Sequence, residues 1–231
     1  MRFTLIVLDN FIKDKNLIED IKKDEGFFPD DMGEIDNIGQ VNNYFHVEDA
    51  DCYAPYMFWG GWWVSPADTL KKKVIQSIWS NEDFLPFPLE EVCGFEYWTR
   101  TFKQGQYLRV HVDEDTFAYQ KDRTFNAPAF GCVWYGFKEV EKPGFLELHE
   151  GFIEGFPDDA LEKENIDKLL SLPENRERIA HKPNRLVCFE AGRRLHEATP
   201  TVSGSRQVMV VNVWHKDSPP SALTTGEFYY E

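Results

Sequence analysis

The order of hydrophobic and polar positions divides the chain into a helical first part and a strand-rich second part. The apolar run from Phe3 to Leu8 predicts a β-strand, and residues 14 to 23 predict a short amphipathic helix. A second helix is expected after Ser65-Pro66-Ala67-Asp68, which has the order of an N-cap followed by a first-turn proline. Its apolar stripe, which should pack on a sheet, is Leu70, Val74, Ile75, Ile78 and Trp79.

From about residue 93 the pattern changes to short apolar or alternating runs separated by turns, which is typical of a sandwich or barrel. An acidic insert, Pro157 to Glu177, interrupts these runs with a weak helical pattern. The fold class is therefore predicted to be mainly β with flanking helices (α+β). We expect one domain over residues 1–231, with a helical support region (1–92), a β core (93–215) and a tail (216–231). Strands are predicted at about 95–102, 107–113, 129–137, 145–149, 185–189, 195–199 and 206–214.

The densest aromatic stretch, Met57 to Val64, lies between the two predicted helices. One interpretation is a core strand or a hairpin turned at Gly60-Gly61. The other is an apolar wall of a substrate pocket at the mouth of a barrel, because pockets are commonly lined with aromatic side chains.

Composition and charge exclude several classes of protein. A chain that is 42% hydrophobic and 15% aromatic is not disordered as a whole. A net charge of −15 without a basic stripe argues against a nucleic-acid partner. The first apolar run is too short for a signal peptide or a membrane span, which predicts a soluble, cytoplasmic protein. The four cysteines form no C-x-x-C pair and are expected to be buried free thiols.

A histidine and an acid two residues apart, His111 and Asp113, indicate a metal site. On a regular strand Tyr107, Arg109, His111 and Asp113 share one face, so the imidazole and the carboxylate can meet at one ion. A second histidine from a neighbouring strand would complete the two-histidine, one-carboxylate set that suits non-haem Fe(II).

The His-x-acid spacing alone is weak evidence, because the chain has three such pairs among six histidines and 40 acidic residues. His46-Val47-Glu48 lies in a polar, loop-like region, and His215-Lys216-Asp217 has no histidine after it. A single histidine near a strand end is also more often structural than a ligand. Only the set of His111, Asp113, His196 and Arg206 puts every member on or beside a predicted strand.

Arg206 follows His196 by ten residues and opens the last predicted strand. It shares a strand face with Val208, Val210 and Asn212, so its guanidinium should enter an apolar interior, where a cation needs an anion. A dicarboxylate molecule can supply that anion, since the guanidinium fork matches a carboxylate. The alternative is an internal salt bridge to an acid such as Glu147 or Glu190.

These residues resemble the Fe(II)- and 2-oxoglutarate-dependent dioxygenases, most closely the prolyl 4-hydroxylase-like branch. The similarity covers nearly the whole chain and includes Val7-Leu8-Asp9-Asn10-Phe11, Gly105-Gln106-Tyr107, His111-x-Asp113, Lys182 to Phe189, Leu195-His196-Glu197-Ala198-Thr199-Pro200 and Gly204-Ser205-Arg206. The resemblance implies a double-stranded β-helix, a jelly-roll and cupin-like core. It also implies catalytic iron ligands at His111, Asp113 and His196, with Arg206 on the distal carboxylate of 2-oxoglutarate and Tyr107 in the same pocket.

The sequence departs from the branch at three places. Tyr107 lies four residues before His111 where three is usual, Asn184 stands where glycine is common, and Asn212 stands where an aromatic residue is frequent, with Trp214 two positions further along the same face. Asp113 is intact, which argues against the halogenase variants that lack this carboxylate.

The activity that the resemblance implies is hydroxylation of a C–H bond with release of succinate and CO2. Fe(II), 2-oxoglutarate and O2 are the implied cofactors, with ascorbate as a further candidate. The leading substrate is a prolyl or other residue of a peptide or protein. A free amino acid or other small molecule is the alternative among enzymes, and a cupin-like protein that binds metal without turnover is the alternative of another class. The oligomeric state is left open.

Overall fold

The fold is taken from a computed structural model that describes residues 5–29, 57–115, 118, 123–149 and 176–221. These ranges contain ten strands, two α-helices and two short 3-10 turns, at Glu82–Phe84 and Leu89–Glu91. The helices are α1 (Lys15–Lys23) and α2 (Leu70–Trp79). The strands are β1 (Ile6–Leu8), β2 (Met57–Trp59), β3 (Val92–Phe102), β4 (Leu108–His111), β5 (Phe130–Tyr135), β6 (Phe145–His149), β7 (Arg176–Ala180), β8 (Leu186–Phe189), β9 (His196–Ala198) and β10 (Arg206–His215).

The strands form two antiparallel sheets whose pairing is nested. The larger sheet has the order β1-β8-β5-β10-β3-β2 and the smaller one the order β4-β9-β6-β7. The first strand of the core, β3, pairs with the last, β10; inside that pair β4 pairs with β9, β5 with β8 and β6 with β7. A long antiparallel ribbon wound on itself in this way is a jelly roll, or double-stranded β-helix. The predicted fold class is confirmed.

The N-terminal part supplies strands as well as the predicted helices. β1 pairs with β8 and β2 pairs with β3, so each extends one edge of the larger sheet. Helix α1 begins where expected, because the Asp14 carboxylate caps it by accepting hydrogen bonds from the amides of Asn16 and Leu17. Within the described residues, no helix is long and apolar enough to cross a bilayer.

Helix α2 begins later than the sequence pattern predicts. Its N-cap is Thr69, whose hydroxyl accepts from the amide of Lys72, rather than Ser65. The Ser65 hydroxyl instead accepts a hydrogen bond of 2.8 Å from the Trp59 indole, which removes it from the capping role. The capping sequence was therefore wrongly assigned, although the apolar stripe that packs on the sheet was correct.

Alternate residues of β3 serve two different layers of the protein. Phe95 and Tyr97 point outward and pack with Ile75, Ile78 and other buried residues of the helical layer. The even-numbered residues of β3 from Glu96 onward point into the barrel, where Phe102 packs with side chains of the smaller sheet. β3 is consequently buried along most of its length, and its inward face is available for a site.

The aromatic stretch at residues 57–64 is mainly core, as the first of its two interpretations predicted. Met57 and Trp59 belong to the outer core, and the Trp62 ring stacks on Phe95 at 5.8 Å. The Phe58 side chain points the other way, into the barrel, since Phe58 pairs with Glu96, whose side chain lies on the inward face of β3. The stretch turns after Trp59 without forming a second strand.

Strand β7 was not predicted. Only Ile179 is buried among its five residues, so the strand has almost no hydrophobic signal, and its first two positions were assigned to the weakly helical insert. The rest of that insert lies outside the described residues, as does the pair of His46 and Glu48. The tail packs back at Ser221, whose amide and hydroxyl donate to the Asp115 carboxylate.

Asn184, where glycine is common in the related branch, has a structural explanation. Its φ of 57° lies in the left-handed region that asparagine tolerates better than most residues. The side chain accepts from the Ile12 amide (2.9 Å) and the Trp134 indole (3.2 Å) and donates to the Ile12 carbonyl (3.0 Å). It therefore joins the segment after β1 to the core, a function that glycine lacks.

We expect Asn184→Ala to destabilise the protein by about 3 kcal/mol, because it adds left-handed strain of about 1 kcal/mol and leaves buried backbone groups unpaired. Asn184→Gly should recover only the strain. Asn10 is the matched control, since its φ is 52° and it is exposed. Asn10→Ala should therefore destabilise the protein only by the added left-handed strain of about 1 kcal/mol. Urea unfolding measures all three variants; equal losses at the two asparagines would contradict the role of the side-chain hydrogen bonds.

Candidate metal centre

Three potential metal ligands come together where two strands of the smaller sheet meet. Their ligand atoms lie within 4.8 Å of one another, and this is the one such cluster of three that the described residues contain. One oxygen of Asp113 lies 3.5 Å from Nε2 of His111 and 3.6 Å from Nε2 of His196. The structure thus brings together the three residues that the sequence singled out.

The backbone of both strands fixes this cluster. His111, the last residue of β4, is directly opposite His196, the first residue of β9. Asp113 follows on an extended segment that is held by a hydrogen bond of 2.9 Å from its amide to the carbonyl of Ala191. His196 is oriented on its other side, because its Nδ1 lies 2.9 Å from the carbonyl of Arg194. With Nδ1 as the donor there, Nε2 is left with a lone pair that faces the cluster.

The expected parity of β4 agrees with the structure for His111 and Asp113 but not for Tyr107, because the strand is irregular. Between Leu108 and His111 it advances three residues while β9 advances two, which is the signature of a bulge. Leu108, rather than Tyr107, consequently lines the cavity beside His111. The structure does not place Tyr107 with the other predicted site residues.

Electrostatics favour a cation at the cluster. Burial opposes ionisation of Asp113, but the hydrogen bonds and charges of His111 and His196 outweigh it and hold the pKa of Asp113 well below its usual range. The side chains are 17%, 10% and 7% exposed for His111, Asp113 and His196, so a ligand can still reach them. Two imidazole nitrogens and one carboxylate oxygen are the donor set that suits non-haem Fe(II) and leaves coordination positions open.

One cavity inside the barrel contains both this cluster and Arg206. Its walls are mostly apolar, with Leu108 and Leu146 from the smaller sheet and Phe189, Val208 and Val210 from the larger one. A mostly apolar pocket with a few convergent polar groups is the usual form of a small-molecule site.

Arg206 lies at the inner wall of this cavity and is 1% exposed. Its Nη1 and Nη2 donate to the carbonyls of Phe145 (3.5 Å) and Thr199 (3.2 Å), while its buried Nε has no hydrogen-bond partner among the residues described. The guanidinium carbon lies 4.8 Å from the centre of the Phe102 ring. Burial lowers the pKa of Arg206, as expected for a cation that is removed from water.

The alternative of an internal salt bridge to Arg206 is not supported. Glu147 is instead paired with Arg176 at 3.2 Å and with Arg178 at 2.8 Å. Among the described residues no carboxylate lies within 4.0 Å of the Arg206 guanidinium. A buried guanidinium with neutral partners and an unbonded Nε–H fits an anionic ligand.

Tyr135 is a cavity residue that the sequence analysis missed. It lies on β5 opposite Val208 and lines the cavity near Arg206. Burial raises the pKa of Tyr135, which keeps the phenol neutral and able to donate a hydrogen bond. Tyr135 lies in the predicted strand at 129–137 and shares a face with Val133, which also lines the cavity. Nothing in the sequence pattern indicated which face of that strand points into the cavity.

Fold and site together define a class: a jelly roll with a two-histidine, one-carboxylate cluster and a buried arginine in one cavity. No protein-family model and no curated protein matches the chain.

Among solved structures, the chain is similar to a prolyl-4-hydroxylase from Pseudomonas putida (14% identity over 63% of this chain and 62% of that chain, TM-score 0.37). It is also similar to a prolyl hydroxylase from Trichoplax adhaerens in complex with a peptide fragment of the hypoxia inducible factor oxygen degradation domain (12%, 93% and 84%, 0.47). A third is an N-substituted L-amino acid dioxygenase from Burkholderia ambifaria in complex with alpha-KG (11%, 62% and 62%, 0.40). The match spans less than two thirds of the first and third of these chains.

Proposed function

We propose that the protein is an Fe(II)- and 2-oxoglutarate-dependent dioxygenase that hydroxylates a C–H bond. The observation that carries the proposal is the presence, in one cavity, of the His111, Asp113 and His196 cluster and of a buried Arg206 without a carboxylate partner. The first suits Fe(II), and the second suits a carboxylate. In the balanced reaction, substrate, 2-oxoglutarate and O2 give hydroxylated substrate, succinate and CO2.

The residues of the cavity divide into three tasks. His111, Asp113 and His196 would hold the iron, and the Arg194 carbonyl keeps the His196 ring in the orientation that this requires. Arg206, with Tyr135 beside it, would bind the distal carboxylate of 2-oxoglutarate. The apolar walls exclude water from the reacting groups. When bound, the iron and 2-oxoglutarate supply the oxidising chemistry, which no side chain can supply.

The substrate is a finer proposal. The sequence resemblance favours a prolyl or other residue of a peptide or protein, and the alternative is a free amino acid or small molecule. Succinate release from the Fe(II)-loaded protein, measured with proline-rich peptides and with free amino acids, distinguishes these two. A proline-rich peptide that does not stimulate succinate release removes the peptidyl-prolyl proposal.

The remaining expectations from the sequence stay predictions. They are the stimulation of turnover by ascorbate, the cytoplasmic location and the absence of a nucleic-acid partner.

We expect Tyr135→Phe to raise the concentration of 2-oxoglutarate needed for half-maximal succinate formation by about fivefold, the equivalent of one hydrogen bond of about 1 kcal/mol. Tyr107→Phe is the matched control and should have no effect, because Leu108 occupies the cavity wall in its place. A larger effect at Tyr107 than at Tyr135 would restore the assignment made from the sequence.

A further inference from the structure

A polar group outside the assigned site lies on the same inward face of the larger sheet. β3 and β10 place Phe102 opposite Arg206, and their inward pairs continue to Glu96 opposite Asn212. The inward residues up to Trp98 and Val210 line the cavity. Glu96 and Asn212 are the next pair, three alternations or roughly 20 Å along the strand from Phe102 and Arg206.

The metal cluster lies between these two ends. On the smaller sheet, β9 runs from His196 towards Thr199, whose carbonyl accepts from Arg206. At the other end, the Asp113 segment is bonded to Ala191, and a Cβ placed on Gly131 would lie 2.8 Å from the Ala191 methyl and 2.4 Å from Oδ1 of Asn212. Asn212 is therefore a neighbour of the segment that holds Asp113, on the side away from Arg206.

Glu96 and Asn212 present hydrogen-bond acceptors and little else. Oε2 of Glu96 accepts from the Trp214 indole (3.1 Å) and from the Asn212 amide (3.5 Å), while Oε1 accepts from none of the described residues. Oδ1 of Asn212 is buried and has no partner in the part of the chain that the structure describes. Gly131 leaves the room for this oxygen, since any side chain there would collide with it. The two unused oxygens need a donor.

The charge around Glu96 indicates which donor is suitable. Among the described residues no lysine, arginine or histidine lies within 4.0 Å of its carboxyl group. Burial, together with the charges of Asp113 and Asp115, raises the pKa of Glu96 to about 8. Phe58, directly opposite Glu96 on the neighbouring strand, adds an aromatic side chain to the same face. A carboxyl group, an amide oxygen and an aromatic ring form a favourable environment for an organic cation.

We propose that the substrate carries an ammonium nitrogen and that Glu96 and Asn212 bind it. This inference rests on the proposed function, since it places the substrate on the side of the metal cluster opposite the 2-oxoglutarate pocket. The ammonium group can belong to a free amino acid or amine, or to the N-terminus or a lysine of a peptide. A prolyl residue within a peptide has neither an N–H nor a charge and leaves both oxygens unpaired.

The test uses full-length protein loaded with Zn(II), which is redox-inert, and 2-oxoglutarate. Binding of the free L-amino acids, and of a proline-rich peptide with a free N-terminus, is compared by saturation-transfer NMR with binding of their N-acetylated forms. Only ligands with a free amino group should bind, and the peptide arm distinguishes the two sources of the ammonium group. Glu96→Gln should weaken this binding by at least about tenfold, because a bound ammonium ion favours the ionised form of Glu96 despite its raised pKa, and an amide of the same shape cannot ionise.

Two comparisons complete the experiment. Glu90→Gln, the same change at an exposed position, should bind like the wild type. Asn212→Ala should also weaken amine binding, because it removes the second of the two oxygens that the ammonium group contacts. Equal binding of acetylated and free ligands, unchanged amine binding by Glu96→Gln, or no bound amine at all overturns the inference. Failure of the wild-type protein to bind 2-oxoglutarate is a separate result, which contradicts the proposed function itself.

Discussion

Asp113→Ala is expected to abolish iron-dependent succinate formation. Asp113 is the one carboxylate of the cluster, and the imidazoles of His111 and His196 keep it ionised despite its burial. Without it, only the two histidines remain, and they offer Fe(II) neither the negative charge nor the third ligand. Mutation of a residue that only hydrogen-bonds a metal ligand already lowers metal affinity by about 10- to 100-fold. Because Asp113 is itself a ligand in this assignment, we expect iron affinity to fall by at least about a hundredfold.

The chain contains a matched control for this variant. Asp217 forms the same His-x-Asp pattern with His215, but its side chain is 93% exposed. Asp217→Ala should leave both iron content and succinate formation unchanged. Metal analysis after gel filtration and a turnover assay check both variants. Stoichiometric iron in Asp113→Ala would contradict the assigned cluster.

Arg206→Met is expected to raise the 2-oxoglutarate requirement by at least about 30-fold, with a smaller effect on turnover at saturation. Removing one member of a buried, hydrogen-bonded charge pair costs about 2 kcal/mol or more, which corresponds to this factor. The variant keeps the size of the side chain and removes the guanidinium that lies 4.8 Å from the Phe102 ring. Titration of 2-oxoglutarate in the succinate assay measures the change.

Thermal unfolding separates a binding role of Arg206 from a structural one. Without ligand, Arg206→Met should melt within about 3 °C of the wild type, since it removes a buried charge that has only neutral partners. 2-Oxoglutarate at a hundred times its Kd should stabilise the wild type by about 2.7 kcal/mol and the variant hardly at all. Arg178→Met, at an arginine that is 59% exposed and pairs with Glu147, is the control for binding: whatever its own melting temperature, 2-oxoglutarate should stabilise it as much as the wild type. A large loss of stability with unchanged cosubstrate affinity would make Arg206 structural.

Periodicity predicted the core strands well because each buries alternate apolar side chains. The runs at 145–149 and 206–214 agree with β6 and β10 to within one residue. Nested pairing is a property of the whole chain, and the expectation of a jelly roll came from the family resemblance rather than from any single strand. β7 was not predicted because it is an edge strand with one buried residue, so its hydrophobic pattern does not indicate a strand.

Local signals failed where a side chain had a competing partner. Ser65 looks like an N-cap in sequence, but the indole of Trp59, six residues away, uses its hydroxyl. The parity of β4 depends on a bulge that is fixed by its pairing with β9, which the sequence of β4 alone does not contain. Tyr107 was consequently placed on the cavity side, where the structure has Leu108.

The candidate site was more predictable than its surroundings. The spacing between His196 and Arg206, together with a His-x-Asp pair on another strand, identified residues that the fold brings to one cavity. The contribution of Glu96 was invisible, because a single acid in a strand looks like a solvated position until its partners Asn212 and Trp214 are known. Tertiary contacts, not the local sequence pattern, distinguish a buried acid such as Glu96 from a solvated one.

The most direct test of the account is the anaerobic addition of Fe(II) and then 2-oxoglutarate to the wild-type protein. If His111, Asp113 and His196 bind iron and Arg206 binds 2-oxoglutarate in the same cavity, the visible metal-to-ligand charge-transfer band of the chelated keto acid should appear and saturate at one equivalent of iron. Asp113→Ala should show no band, and Arg206→Met should need far more 2-oxoglutarate to form it. Absence of the band in the wild-type protein would contradict the dioxygenase assignment.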